Sequence, residues 1–195
     1  MFGNDSEINC DGHIFKDCFQ SGGSFRDDWA TLRTPIRNQK TVTLTFYQHG
    51  NLSIFRDVKN IESKLKSNIN NNSLEVITDQ WSDEKIPLFV AEGTGKKKEE
   101  SIKASQYLST IYYEVLPSLI NTDHNLVIYG WGMGEQESHL VNQIFKHKLS
   151  GKIAISTYSK DQSDCHRIYT EINKLAPQVE VEFFDSQSSG CWNNP

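Results

Sequence analysis

Several things are scarce in this chain of 195 residues. Apolar runs are short, nowhere near the roughly 20 residues needed to span a bilayer, which excludes a transmembrane helix. The opening Met-Phe-Gly-Asn-Asp-Ser-Glu has neither a basic region nor an apolar core, so no signal peptide is expected. Cysteines number only 4 (Cys10, Cys18, Cys165 and Cys191) and none form a C-x-x-C pair. That excludes a disulfide scaffold and fits a reducing cytoplasm. Cationic excess is also missing: 20 Lys and Arg stand against 25 Asp and Glu, a net charge of −5, which argues against nucleic acid as the main partner; with apolar runs this short, no membrane partner is expected either. No G-x-S-x-G elbow, Walker loop or H-E-x-x-H motif occurs.

What remains is ordinary for a globular domain, with 36% hydrophobic and 23% charged residues. The length suffices for one domain with its own core. The run Lys96-Lys97-Lys98 is answered at once by Glu99-Glu100 and reads as a solvated helix start.

The most informative stretch runs from Asn125 to Leu140. Leu126–Tyr129 reads as a buried strand, followed by glycines at alternate positions, Gly130, Gly132 and Gly134, and then by a helix carrying Glu135, Glu137, His139, Leu140, Val141 and Ile144. Strand, glycine turn and helix bring backbone close to a ligand at the carboxyl end of a parallel sheet. The dinucleotide fingerprint is incomplete. A third glycine three residues on is missing, and acids in the first helical turn compete with a phosphate for the positive helix end. A tight turn that merely needs glycine fits the same residues.

Residues 1–40 carry weak periodicity, turn signals at Asp11-Gly12 and Ser21-Gly22-Gly23-Ser24, and large anchors at Phe15, Phe19, Phe25 and Trp29. They predict an irregular, aromatic-anchored segment ahead of an α/β domain over 41–195. Cys10, His13 and Cys18 match no common zinc spacing, so no metal is expected. Val42–Tyr47 alternates as a strand, Leu52–Phe55 reads as a second, and Ile61–Leu65 as its hairpin partner. Leu74, Ile77 and Trp81 fall at helical spacing. Pro87–Ala91 reads as a buried strand ending in the turn Glu92-Gly93-Thr94-Gly95. Ile102, Ser105, Leu108, Ile111, Tyr112, Val115 and Leu119 predict one long amphipathic helix from Lys98, kinked or ended by Pro117. Ile153–Thr157, Asp164–Leu175 and Val179–Phe183 then read as strand, helix and strand, with Asp164 and Asp161 as capping residues and Cys165 as a helix-face thiol. This alternation predicts a Rossmann-like three-layer α/β fold, with a mainly parallel sheet and helices on both faces.

Four stretches in this order resemble an uncharacterised bacterial family of sirtuin-like proteins: Phe46-Tyr-Gln-His-Gly-Asn-Leu52, Pro87-Leu-Phe-Val-Ala-Glu-Gly93, Leu126 to His139, and Phe183-Phe-Asp-Ser-Gln-Ser188. The resemblance covers about residues 40–192. It implies a sirtuin-type fold that binds NAD or an NAD-derived nucleotide. It implies His49 as the catalytic general base toward a ribose hydroxyl, a role that suits a neutral imidazole. It also places Gly50, Glu92, Gly93, Gly130, Gly132, Glu137 and His139 around the cofactor. Departures accompany the matches. Gly132 stands where the family has serine, Glu137 where it has aspartate, and no Gly-Ala-Gly turn or asparagine-bearing stretch precedes His49. The resemblance therefore implies the carboxyl-terminal part of such a domain, a truncated or degenerate nucleotide-binding module. Its alternatives are an active NAD hydrolase using His49 and a ligand-free interaction domain. Such a part would expose a sheet edge, which a second copy or a missing amino-terminal partner would cover.

Overall fold

Strand pairing changes character along the chain. The structure, a computed structural model, describes residues 12–20, 23–36, 39–65, 73–82, 85–91, 93–120, 124–147, 151–158 and 162–192. It separates into two units, Met1–Gly93 with Glu100–Ile111, and Thr94–Glu99 with Tyr112–Pro195.

In the first unit β1 (His13–Lys16) runs parallel to β2 (Thr41–Leu44), and His13 Nε2 lies 3.0 Å from the Thr43 hydroxyl. A separate sheet has β3 (Gly50–Arg56) at its centre, antiparallel to both β4 (Glu62–Lys64) and β5 (Ile86–Phe89). The β3–β4 hairpin forms as its sequence asks: Asp57 accepts from the backbone N–H of Lys59 and Ile61, and Asn60 takes a left-handed φ of 61°. Pro87 lacks an N–H, so β5 suits a sheet edge. The expected burial of this strand holds only for Leu88, while Ile86 and Phe89 are exposed.

Helix α1 (Ser73–Ser82) lies between β4 and β5 in the chain, and α2 (Gly95–Lys103) and α3 (Gln106–Thr110) follow β5. The single long helix predicted from Lys98 is broken. Ser105 leaves the helical region and its side chain accepts from Leu108 N–H at 3.1 Å, capping a new helix. A π turn over Ile111–Val115 and a 3₁₀ turn over Leu116–Ser118, with Pro117 inside, complete the segment. The 3.6-residue pattern survives because Ile102, Leu108, Ile111, Tyr112 and Val115 are still buried.

The first unit packs polar groups with its aromatics. Phe19 and Phe25 lie 5.1 and 5.2 Å from the Tyr107 ring. The Tyr107 oxygen accepts from Tyr47 N–H at 2.9 Å, and burial pushes its phenol well above the usual tyrosine range. The Glu62 carboxylate accepts from the backbone N–H of Gln106 (3.2 Å) and Tyr107 (2.7 Å) and pairs with Arg56 at 3.0 Å. Asp17 and Lys64 form a buried ion pair.

The second unit holds β6 (Leu126–Ile128), α4 (Ser138–Ile144), β7 (Gly151–Thr157), α5 (Gln162–Leu175) and β8 (Val179–Asp185). Its strands are parallel in the order β6-β7-β8. Rows across the sheet alternate. Leu126, Ile153 and Val181 share one row and Ile128, Ile155 and Phe183 another, with Ile128, Ile153 and Ile155 buried. The intervening residues, Val127, Lys152, Glu180 and Glu182, are exposed.

This overturns the expected Rossmann-like three-layer fold. Among the described residues the strands form separate sheets of two, three and three strands, and the middle one is antiparallel. The parallel sheet is only three strands wide and its two crossovers advance the same way, which by right-handedness sets both helices on one face. The charged row on the other face agrees. Among the described residues, no helix is long and apolar enough to cross a membrane.

Candidate functional site

The turn after β6 is built from residues that its backbone selects only in part. Gly130 has φ +68°, a conformation that favours glycine, and its N–H donates to the Ser156 hydroxyl at 2.9 Å. Met133 adopts φ +48° despite its side chain, at a cost of about 1–2 kcal/mol. It is held there by complete burial of that side chain. Gly132 and Gly134 have no positive φ, and a Cβ added to either meets nothing within 4 Å. The protein itself does not require glycine at these two positions. The Trp131 indole N–H donates to the Glu137 carboxylate, which ties the turn to the 3₁₀ turn Glu135–Glu137.

Beside this turn lies a cleft of about 420 Å³. Tyr129, Gly130, Trp131 and Gly132 form one wall, beyond β6. Ser156, Thr157 and Tyr158 close the carboxyl end of β7, and Ser186 follows β8. Asp164, Arg167 and Ile168 contribute from the start of α5. The carboxyl ends of all three parallel strands thus meet at one opening, where ligands of parallel α/β sheets are held. Arg167 bridges two walls: its guanidinium donates to the carbonyls of Gly132 (2.8 Å) and Met133 (3.1 Å) and lies 3.5 Å from Asp164.

The family described as "Domain of unknown function (DUF4917)" matches residues 1–192. The chain belongs to that family. No curated protein and no solved structure matches it. The DUF4917 match runs through both units, so the cleft and the residues of the first unit lie in one family domain.

Of the positions expected around a cofactor in this DUF4917 chain, Gly130 and Gly132 line the cleft together. Glu137 stands behind Trp131 and orients its indole, and His139 is buried in α4 with its ring stacked on Tyr112 at 6.1 Å. Neither is among the lining residues. His49, Gly50 and Gly93 belong to the first unit, and Glu92 lies outside the described residues. His49 sits in the turn before β3, half-buried, with its carbonyl accepting from Val90 N–H at 2.8 Å. Gly50 is demanded by pairing: it has φ +71°, and a Cβ there would fall 1.9 Å from the Leu88 carbonyl oxygen.

Sequence reasoning missed Ser156, Ser186, Asp164 as a lining group, and Arg167. A lone arginine inside a polar helix face reads as solvated, and two serines at strand ends read as turn residues. The available signal was positional: Ser156 and Ser186 end consecutive parallel strands, and Asp164 and Arg167 are three residues apart on one helix face.

Proposed function

We propose that the second unit binds a nucleotide of the NAD type in the cleft at the carboxyl ends of β6, β7 and β8, as a binding module rather than a hydrolase. One observation carries this reading. Gly132 walls the cleft, yet neither its φ nor its packing calls for glycine, which leaves close approach by a ligand as the reason for its bare backbone. The volume is within the range of small-molecule sites, and Tyr129, Trp131 and Tyr158 offer aromatic surface for a base. The four-motif resemblance supplies the nucleotide class. Binding rather than turnover is favoured because the one lining carboxylate, Asp164, is turned to Arg167 and no imidazole stands among the described lining residues. On the scarcity of cysteine we place the protein in the cytoplasm.

Calorimetric titration of the full chain with NAD and ADP-ribose tests the reading. Saturable binding that Gly132→Trp abolishes, with the thermal midpoint unchanged, is expected. Heat that is the same in wild type and Gly132→Trp would remove the ligand from this cleft.

A further inference from the structure

The polar groups of the cleft can be counted donor by donor. The Tyr129 hydroxyl donates to the Ser186 carbonyl, the Trp131 indole to Glu137, the Thr157 hydroxyl to the Phe184 carbonyl, and Gly130 N–H to Ser156 Oγ. These donors are engaged within the protein. Besides the exposed Tyr158 hydroxyl, three side chains keep donors with no acceptor among the described residues. Arg167 carries five N–H donors, of which two hold the Gly132 and Met133 carbonyls and a third faces Asp164 at 3.5 Å, leaving two. Ser156 is more than nine-tenths buried and accepts from Gly130, but its own proton has no protein acceptor. Ser186, equally buried, makes no side-chain hydrogen bond among the described residues. Against these stands one carboxylate, Asp164, already turned to Arg167. These donors face the open cleft, where solvent or a ligand completes them.

We infer that this donor excess is an oxyanion subsite, in which Arg167, Ser156 and Ser186 hold a phosphate group of the nucleotide. The inference rests on the nucleotide reading above and adds to it the group that is recognised and the residues that do so. A phosphate offers acceptor oxygens without donors, matching what the cleft lacks. Arg167 is suited to read it because the two turn carbonyls fix its guanidinium in place before the ligand arrives, so little side-chain freedom remains to be lost. The same two hydrogen bonds couple the subsite to the glycine turn: an anion drawn to Arg167 sits against the wall at Gly132.

The test compares ADP-ribose with adenosine, which keeps the base and sugar but has no phosphate, on the full chain and on Arg167→Met and Ser186→Ala. Ser186→Ala removes a hydroxyl that bonds nothing among the described residues, so it is expected to leave folding intact even if Arg167→Met loosens the turn. Wild type is expected to bind ADP-ribose at least about tenfold more tightly than adenosine, with Arg167→Met weakening ADP-ribose by about ten- to a hundredfold and Ser186→Ala by a smaller factor. Adenosine binding should hardly change in Ser186→Ala, and raising the salt concentration should narrow the gap in wild type but not in Arg167→Met. Equal affinity for adenosine and ADP-ribose, or ADP-ribose binding unaltered in both variants, would overturn the subsite and leave the nucleotide reading standing. No binding of either ligand by folded wild type would overturn both.

Discussion

Gly50 and Gly132 both flank strands, and both belong to stretches that carry the same family resemblance. Gly50, in the first unit, is fixed by its own fold: its φ is left-handed and the Leu88 carbonyl fills the space where a side chain would go. Gly132, in the second, has an ordinary backbone and open space beside it. The polar groups differ in the same way. In the first unit Glu62 completes two backbone N–H groups and an arginine, and Asp17 completes Lys64. In the second, the hydroxyls of Ser156 and Ser186 and part of the Arg167 guanidinium face a cleft without protein acceptors. In the first unit, the carboxylates of Glu62 and Asp17 are completed by groups of the protein itself. In the second, lining side chains face the cleft, and that contrast is the physical basis on which we propose the site there.

The contrast can be broken most forcefully in the first unit at Lys64. Lys64→Met leaves the Asp17 carboxylate buried without its cation, and a loss of about 3–5 kcal/mol in urea unfolding is expected. A loss below about 1 kcal/mol would mean that the pair is solvated. Gly50→Ala should cost at least about 2 kcal/mol through left-handed strain and overlap with Leu88, read by the same denaturation. Ser105→Ala removes the cap that divides α2 from α3 and should cost about 1 kcal/mol. Tyr107 contributes no pH dependence at neutrality. Because burial raises its phenol pKa in the folded state above the ordinary 10.0, stability holds up to pH near 10 and falls above it as the unfolded chain ionises; Tyr107→Phe should flatten that alkaline decline. The smallest effect sharpens the comparison: Gly132→Ala should change stability by less than about 0.5 kcal/mol, against the large loss from the same substitution at Gly50.

Local periodicity made much of the second unit legible. Ile153 and Ile155, then Val179 and Val181, alternate as strands should, and Ile168 and Ile172 mark the buried face of α5. The hairpin of Leu52–Phe55 with Ile61–Leu65 was equally readable, since short connections keep neighbours paired. Sheet membership was not readable. Nothing in the apolar pattern of Pro87–Ala91 says that this strand runs antiparallel to β3 across α1 rather than parallel to the later strands, and pairing partners are not encoded in period. The helix from Lys98 failed for a different reason: Ser105 preserves the period while its hydroxyl breaks the helix, so the pattern outlasts the element. At the site, the glycine turn was visible because glycine at alternate positions is uncommon. Arg167 was not, because its role comes from two carbonyls 34 and 35 residues away in sequence.

The most direct measurement is hydrogen–deuterium exchange of the full chain with and without ADP-ribose. The account predicts slowed exchange in residues 129–133, 156–158 and 186–188, with the strands around Gly50 and Leu88 unaffected. Slowed exchange centred on 47–51 and 88–91, with the glycine turn unchanged, would contradict it and return the site to His49.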